Sequence, residues 1–283
     1  MDIREGILLL LIFGAIILVY QGQSVKKVYQ REVRKRLAQK TASSEGPTLT
    51  EKDMENLPEP VRKYLAYVGV IGKEKVFNAR IAAHGEMRMD AKRNWFQVKT
   101  QQYNFFDPAA RLFYIRGNMS GIPMVGLDSY VRGKGNMLIK VASLFTVADA
   151  KGKEMDSGAR VTLFNDMCLL APATLIDPRI HWETVDASTV KATFEDQGDA
   201  VSALLYFNDQ GALINFVTDD RYYSPMGKSY QRVRWSTPVK DYQEMNGVKV
   251  PTYGEGIWHF AEGDFCYAKF RFLEIEYNCK QFK

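Results

Sequence analysis

No stretch of the 283-residue sequence completes a catalytic template. Gly117-Asn118-Met119-Ser120-Gly121 is one residue out of step with the GxSxG turn of serine hydrolases. Gly121 to Gly126 has the glycine spacing of a phosphate-binding loop, but Leu127-Asp128 replaces the Lys-Ser or Lys-Thr pair that would hold phosphate and magnesium. The three histidines are widely spaced and form no HxH or HxxxH pair. We therefore assign no catalytic residue, and we predict neither a metal ion nor a cofactor.

The cysteines also argue against a metal or disulfide framework. Cys168, Cys266 and Cys279 are an odd number and have no CxxC spacing. We predict ordinary thiols in a reducing compartment. A bridge between Cys266 and Cys279 remains an alternative.

The remaining candidates for chemistry are charged and aromatic residues on predicted strands. On the strand Val248 to Phe260, Glu255 shares one face with Tyr253, whereas Trp258 lies on the other face. A guanidinium inside a concave sheet can pair with such a carboxylate or with an anionic headgroup. The predicted ligand-binding residues are Arg116, Arg132, Arg221, Trp235, Glu255 and Trp258. The alternative for each is structural, because arginines on strands usually face solvent and tryptophans are usually buried.

Alternating apolar and polar residues predict one large sheet that positions these candidates. The alternation is clear over residues 112–116, 190–195 and 201–207. Turn residues separate such runs at Asn208-Asp209-Gln210-Gly211 and at Asn246-Gly247, and the second is a strong hairpin signal. We count about ten or eleven strands, and successive hairpins imply an antiparallel, strongly curved sheet.

Two helices are predicted to lie on one face of this sheet. The first opens with the capping pair Thr50 and Asp53, and its apolar stripe stops at Gly69. The second covers Ala159 to Leu170, with Asp156 as a candidate cap. The predicted fold is therefore mainly β (α+β), a curved antiparallel sheet or half-open barrel of about ten strands with two helices, preceded by a transmembrane helix.

An uncharged N-terminal segment predicts that transmembrane helix. Residues 7–20 are apolar, and the 20 residues from Gly6 to Val25 carry no charge, so a helix there covers about 30 Å, the usual hydrocarbon thickness of a bilayer. The predicted domains are a transmembrane anchor (1–25), a basic juxtamembrane helix and linker (26–50) and a single β-rich domain (51–283). The alternatives are a secretory signal cleaved near Gly22-Gln23-Ser24 and a buried core helix.

The net charge of +5 resides in the segment after this anchor. Residues 1–20 carry −1 and residues 21–40 carry +6, so residues 41–283 are neutral and give no support for nucleic-acid binding. Val25, Val28, Tyr29, Val33 and Leu37 recur at helical spacing, which predicts an amphipathic helix. The predicted contacts with anionic lipid headgroups are Lys26, Lys27, Arg31, Arg34, Lys35 and Arg36. A solvated helix whose charges only fix the topology is the alternative.

Several motifs resemble those of an uncharacterised bacterial family of membrane-anchored proteins. They begin with Leu57-Pro58-Glu59-Pro60-Val61-Arg62-Lys63-Tyr64-Leu65 and continue through residues 121–130, 241–251 and 254–278. This resemblance implies no activity. More distantly, the curved sheet and the hairpin at 241–251 are similar to those of the periplasmic lipoprotein carriers, which implies a half-open barrel that holds acyl chains.

These observations favour a membrane-anchored protein that binds a lipid or another apolar ligand in a concave antiparallel sheet. Met119, Met124 and Met137 would give the concavity an adaptable lining, although core packing is the alternative. The expected partners are membrane lipids and an apolar ligand. The competing hypotheses are a membrane-associated enzyme acting on a hydrophobic substrate, with Glu255 as acid or base, and a module that docks a protein on a sheet edge.

The positive-inside rule predicts a single-pass protein of the inner membrane whose large domain is cytoplasmic, because the basic flank resists translocation. The alternative is a periplasmic domain. A reporter fused after Lys283 tests the orientation. We expect activity from a reporter that works in the cytoplasm, and activity only from a periplasm-dependent reporter would reverse the assignment.

Overall fold

A computed structural model describes Glu5 and residues 25–39, 47–142, 145–225, 227 and 229–283. Within these residues the chain is mainly β, with three helices and one large antiparallel sheet. The helices are α1 (25–39), α2 (Glu59–Val68) and α3 (Lys153–Leu170), and 3-10 turns cover Glu51–Met54 and Pro172–Ile176. The strands are β1 (Asn78–Met87), β2 (Phe96–Phe106), β3 (Ala109–Met119), β4 (Ile122–Val131), β5 (Lys134–Val141), β6 (Phe145–Ala150), β7 (Ile180–Thr184), β8 (Thr189–Asp196), β9 (Asp199–Phe207), β10 (Leu213–Thr218), β11 (Tyr222–Tyr223), β12 (Gln231–Arg232), β13 (Arg234–Ser236), β14 (Val239–Met245), β15 (Val248–Phe260) and β16 (Gly263–Tyr277).

Fourteen of the described strands form the large sheet, and β11 pairs separately with β12. The strand order is β6-β5-β4-β3-β2-β1-β16-β15-β13-β10-β9-β8-β7, and β14 joins by pairing with β15. The end strands β6 and β7 do not pair with each other, so the described sheet is not closed into a barrel. It wraps around α3, which contacts β4 and β5 on one side and β9 and β10 on the other. The predicted open antiparallel sheet is confirmed, but the expected strand number was too low because strands such as β11 and β13 are too short to alternate visibly.

The turns between strands follow the predicted chemistry. Asn246 and Gly247 have φ values of 51° and 77° and join β14 to β15. Both residues adopt positive φ, as a two-residue hairpin loop of this kind requires. The turn at 208–211 likewise joins β9 to β10. These turns therefore fix the register of the hairpins that they connect.

Helix α3 forms the centre of the core. Phe164 stacks on Phe194 with ring centroids 5.5 Å apart and meets the edge of Phe216 at 5.6 Å. All three rings are fully buried. Aromatic contacts of this kind stabilise a core beyond their buried area, and these rings anchor α3 to β8 and β10 in one half of the sheet.

The first turn of α3 differs from the prediction. The helix begins at Lys153, six residues before the predicted start, and Asp156 lies inside it. The Asp156 carboxylate accepts a hydrogen bond from the Gly135 N–H (2.7 Å) and pairs with Lys134 (2.9 Å). Asp156 therefore fastens α3 to β5 and does not cap the helix.

Helix α2 ends as predicted but begins differently. Gly69 follows the helix with a φ of 75° and stops it in the left-handed conformation. The hydroxyl of Tyr64 donates to the Cys168 carbonyl (2.9 Å), which joins α2 to α3. Thr50 and Asp53 do form the predicted capping pair, but they cap the 3-10 turn Glu51–Met54 and not α2.

Helix α1 packs its apolar stripe on the outer face of β2, β3 and β4. The Tyr29 ring lies 5.4 Å from the Tyr114 ring and 6.5 Å from the Tyr103 ring. Val25, Val33 and Leu37 are buried in the same cluster. Val28, which was predicted to share this stripe, is 40% exposed because it falls beside the contact line. The amphipathic helix is thus present, and its apolar side faces the domain.

The predicted membrane anchor falls almost entirely outside the described residues. No helix within the described ranges is long and apolar enough to cross a bilayer. Residues 6–24, which carry the apolar run, are not among them, and neither are residues 40–46 of the predicted linker. The anchor and the linker therefore stay predictions.

The docking of α1 predicts unequal effects of two substitutions on the same helix. Tyr29→Ala should lower the free energy of unfolding by about 3–5 kcal/mol, because it empties a fully buried aromatic site. Val28→Ala should change it by less than about 0.5 kcal/mol, because this side chain is exposed. Urea unfolding of the full chain in mild detergent measures both values. Equal effects of the two substitutions would show that α1 is not docked.

Candidate binding cavity

A cavity of about 310 Å³ lies between the inner face of the sheet and α3. On β3, Phe113 and Ile115 point into it, whereas Leu112 and Tyr114 face α1 on the outer side. Most of its wall is apolar, with contributions from β1 to β6, β15 and β16. All three methionines predicted as a lining, Met119, Met124 and Met137, border this cavity. The lining hypothesis for these methionines agrees with their position.

Two glycines allow side chains to lie close against the cavity wall. A Cβ atom on Gly256 would come within 2.9 Å of the Tyr267 ring, and one on Gly126 within 2.9 Å of the Ile115 Cγ2. Such distances are too short for carbon atoms in van der Waals contact. Tyr267 and Ile115 occupy these positions only because β15 and β4 carry glycine there.

A buried polar cluster forms one wall of the cavity. The Arg111 Nε donates to Asp166 Oδ2 on α3 (2.8 Å), and its Nη1 donates to Asp128 Oδ2 on β4 (2.8 Å). Gln102 and Asn104 on β2 also donate to Asp166 Oδ2, at 2.6 and 3.2 Å. The cluster therefore links three strands to the central helix, and Asp166 Oδ2 accepts three hydrogen bonds.

The electrostatics of this cluster depend on burial. Arg111 and Asp166 are both buried. Burial raises the pKa of the Asp166 carboxyl above its ordinary value, against the attraction of Arg111 and the hydrogen bonds from Asn104 and Gln102. Two carboxyl groups share one guanidinium here, so a proton on Asp166 would leave a neutral Arg111–Asp128 pair.

A second cation borders the cavity without a carboxylate partner. The Arg221 guanidinium lies 4.1 Å from the centroid of the Trp235 ring and 5.4 Å from that of Trp258. Its Nε atom is buried and makes no hydrogen bond, and no described carboxylate forms an ion pair with it. Cation–π contacts hold the guanidinium in place. The three residues were predicted separately from the sequence, and the structure brings them together.

The other three predicted ligand-binding residues do not join this group. Glu255 borders the cavity, but its carboxylate accepts hydrogen bonds from the Tyr253 hydroxyl (2.7 Å) and the Cys266 thiol (3.6 Å). Arg116 is exposed on the outer face of β3. Arg132 lies in the turn between β4 and β5, beside the last turn of α1. The structure thus assigns these residues to three separate surroundings.

Sequence reasoning missed Arg111, Asp128 and Asp166. The available signal was Asn165-Asp166 within the apolar sequence of α3, since a polar pair inside a buried helix needs partners. Alternation also places Arg111 on the same face of β3 as Phe113. The contact between α3 and β3 joins residues 55 positions apart, and no local pattern reveals such a pair.

Two further features do not form an alternative site. A cleft of about 690 Å³ is bordered by Lys73, Glu74, Glu276 and Lys283, and it lacks a mainly apolar wall. The three cysteines are free, and burial raises the pKa of each thiol. Within the described ranges, no group of three histidine, cysteine or acidic residues is arranged to hold a metal ion.

The polar cluster predicts a specific effect of removing its cation. Arg111→Met should lower the free energy of unfolding at neutral pH by about 3–5 kcal/mol, because the buried Asp166 and the half-buried Asp128 lose their counter-charge. Arg111 holds the pKa of the Asp166 carboxyl down against the effect of burial, so without the cation this pKa rises further in the folded state, and the fold takes up a proton as the pH falls. The penalty should therefore shrink towards about pH 4.

Arg116→Met is the matched control, since it changes an exposed arginine on the outer face of the same strand. Its effect should stay below about 0.5 kcal/mol at both pH values. Urea unfolding followed by tryptophan fluorescence measures all four values. A penalty for Arg111→Met that does not depend on pH would contradict the assigned ion pairs.

Comparison with known proteins places the chain in a family. One similar solved structure is a DUF1329 family protein from Desulfovibrio piger, with 11% identity over 82% of this chain and 94% of that chain and a TM-score of 0.41. Another is a LolA superfamily protein from Nitrosomonas europaea, with 11% identity over 77% of this chain and 94% of that chain and a TM-score of 0.42. A third is an outer membrane lipoprotein-sorting protein domain from Vibrio parahaemolyticus, with 8% identity over 78% of this chain and 91% of that chain and a TM-score of 0.38. No curated protein matches the sequence. A family of unknown function, DUF6544, matches residues 47–270, which is most of the chain, and the protein therefore belongs to this family.

Proposed function

We propose that the protein binds a lipid or another apolar molecule in the cavity between the sheet and α3. The cavity itself is the observation that carries this proposal. Its volume of about 310 Å³ lies at the lower end of the range common for ligand pockets, roughly 300–1,000 Å³. A mainly apolar wall with a few polar groups on one side is the arrangement expected for such a ligand.

The charges around the cavity suggest which end of a ligand would lie where. Arg111 is already neutralised by Asp128 and Asp166. Arg221 is not paired with any described carboxylate, so it is the cation available to an acidic group. An amphiphile with one apolar chain and an anionic end fits this distribution, with its anionic end at Arg221 and its chain among the apolar side chains.

The enzyme hypothesis has less support from the geometry. Glu255 was the predicted acid or base, and its carboxylate is bonded to Tyr253 and Cys266. Asp166 is held by Arg111 and two amides. Because these hydrogen bonds hold both carboxyl groups in place, we interpret the two residues as part of the wall of a binding site and not as a general acid or base.

The proposed location is the inner membrane, with a single N-terminal span and a cytoplasmic domain, and the periplasm is the alternative. The apolar residues 7–20 and the basic segment after them support the span. Lys26, Lys27, Arg31, Arg34 and Lys35 are exposed on α1, whereas Arg36 is only partly exposed. This exposure leaves the five able to meet anionic headgroups.

Filling the cavity should remove the bound molecule. Ala83 is buried and borders the cavity, so Ala83→Phe places a ring inside it. We expect the wild-type chain, purified in mild detergent, to carry a lipid that solvent extraction and mass spectrometry detect. Ala83→Phe should reduce the amount of this lipid several-fold.

Ala82→Phe provides the matched control, because neighbouring residues of β1 point to opposite faces and Ala82 does not border the cavity. This variant should retain the lipid. Thermal unfolding confirms that both variants are folded. No co-purifying lipid in the wild type, or equal lipid in the two variants, would refute binding in this cavity.

A further inference from the structure

Exposed apolar side chains gather at one end of strands β1 to β6. Among the large apolar side chains exposed in the described part of the chain, four lie there: Met89 (46% exposed), Ile122 (46%), Phe145 (67%) and Val147 (41%). Single exposed apolar residues are common on protein surfaces, whereas a group of them marks an interaction site. We refer to these four residues as the mouth surface.

The strand register places the mouth surface in one row. Met87 pairs with Phe96, Met119 pairs with Ile122, and Val141 pairs with Phe145. The hairpins β1–β2, β3–β4 and β5–β6 therefore turn at the same end of the sheet. Met89 and Val147 also border the cavity, so the exposed apolar surface continues into the interior, and this end is the opening of the cavity.

Exposed cations lie beside the mouth surface. Lys92 and Arg93 lie in the β1–β2 loop, and Lys99 and Arg116 lie on the outer face of the adjacent strands; all four are exposed. Asp90 is an acid in the same loop, and it pairs with Arg93. The neighbouring β15–β16 hairpin turns at the same end and carries two acids, Glu262 and Asp264, of which Asp264 forms a hydrogen bond with His259. Apolar side chains beside exposed cations are complementary to a bilayer with anionic headgroups.

The direction of α1 brings the preceding chain to the same end. Tyr29 packs on Tyr114 in the middle of β3, and seven residues later Arg36 lies over Phe105, next to the β2–β3 turn. Gln39 borders a small cavity together with Pro108 in that turn. The helix therefore runs away from the mouth surface, and its first residue, Val25, lies on the side of the opening. The apolar residues 7–20 precede this point in the sequence.

We propose that the mouth surface enters the interface of an anionic lipid bilayer, so that an apolar ligand passes between the bilayer and the cavity without crossing water. This inference rests on the proposed function. The occupant is a lipid surface because apolar tips and exposed cations occur at the end where α1 begins, and the sequence that precedes α1 is apolar. Leu273 is an exposed apolar residue far from this surface and therefore serves as a control. About ten residues of β16, or roughly 33 Å, separate it from the β15–β16 turn at the mouth end.

Site-directed spin labelling tests the insertion on the full chain. Ile122→Cys, Phe145→Cys and the control Leu273→Cys are each made with Cys266→Ser and Cys279→Ser, since Cys168 is buried. The labelled chains are reconstituted into vesicles of phosphatidylethanolamine and phosphatidylglycerol. Labels at 122 and 145 should be accessible to oxygen and several-fold less accessible to a water-soluble nickel chelate than the label at 273. Equal accessibility to the chelate at all three positions would overturn the proposal.

A transfer assay separates this inference from the proposed function. The double variant Ile122→Ser with Phe145→Ser should retain its co-purified lipid and deliver it to acceptor vesicles several-fold more slowly, whereas Leu273→Ser should match the wild type. An unchanged transfer rate in the double variant would refute the mouth surface as the docking site and leave binding in the cavity intact. Absence of lipid from the wild type would refute the proposed function itself.

Discussion

A buried positive charge determines how the sheet and its central helix meet. Arg111 is held in the interior by carboxylates from two different elements, Asp128 on β4 and Asp166 on α3. Apolar contacts alone would let a helix slide along a sheet, because hydrophobic burial has no direction. The requirement that a buried charge be paired selects one position of α3, in which Asp166 reaches the guanidinium.

The cavity lies directly beside this contact. Towards one half of the sheet, α3 is packed tightly through Phe164, Phe194 and Phe216. Towards the other half, Asp166 of α3 meets Arg111 on β3, Asp156 bonds to β5, and the cavity lies beside these contacts. Protein interiors are normally close-packed and contain few voids. The apolar space left here is an exception to that close packing, and the polar cluster forms part of its wall.

Local patterns predicted the elements of this fold better than their arrangement. Alternation identified β3, β8 and β9, and turn residues such as Asn246-Gly247 located hairpins, because these signals lie within a few neighbouring residues. The site was predicted only where a residue type was distinctive, as with Arg221 and Trp235. Arg111 and Asp166 escaped notice because their pairing depends on a contact between distant parts of the chain. The start of α3 was misplaced for a similar reason, since the partners of Asp156 lie on β5.

The two ends of the described chain meet on the outer face of β2. Phe282 lies 6.0 Å from the Tyr29 ring and 5.7 Å from the Tyr103 ring, and the Lys283 N–H donates to the Tyr103 hydroxyl (3.0 Å). Helix α1 is thus held between the sheet and Phe282 at Tyr29 and Arg34. Residues 25–39 therefore move with the sheet as one rigid body, so any orientation imposed on the start of α1 is passed on to the whole domain.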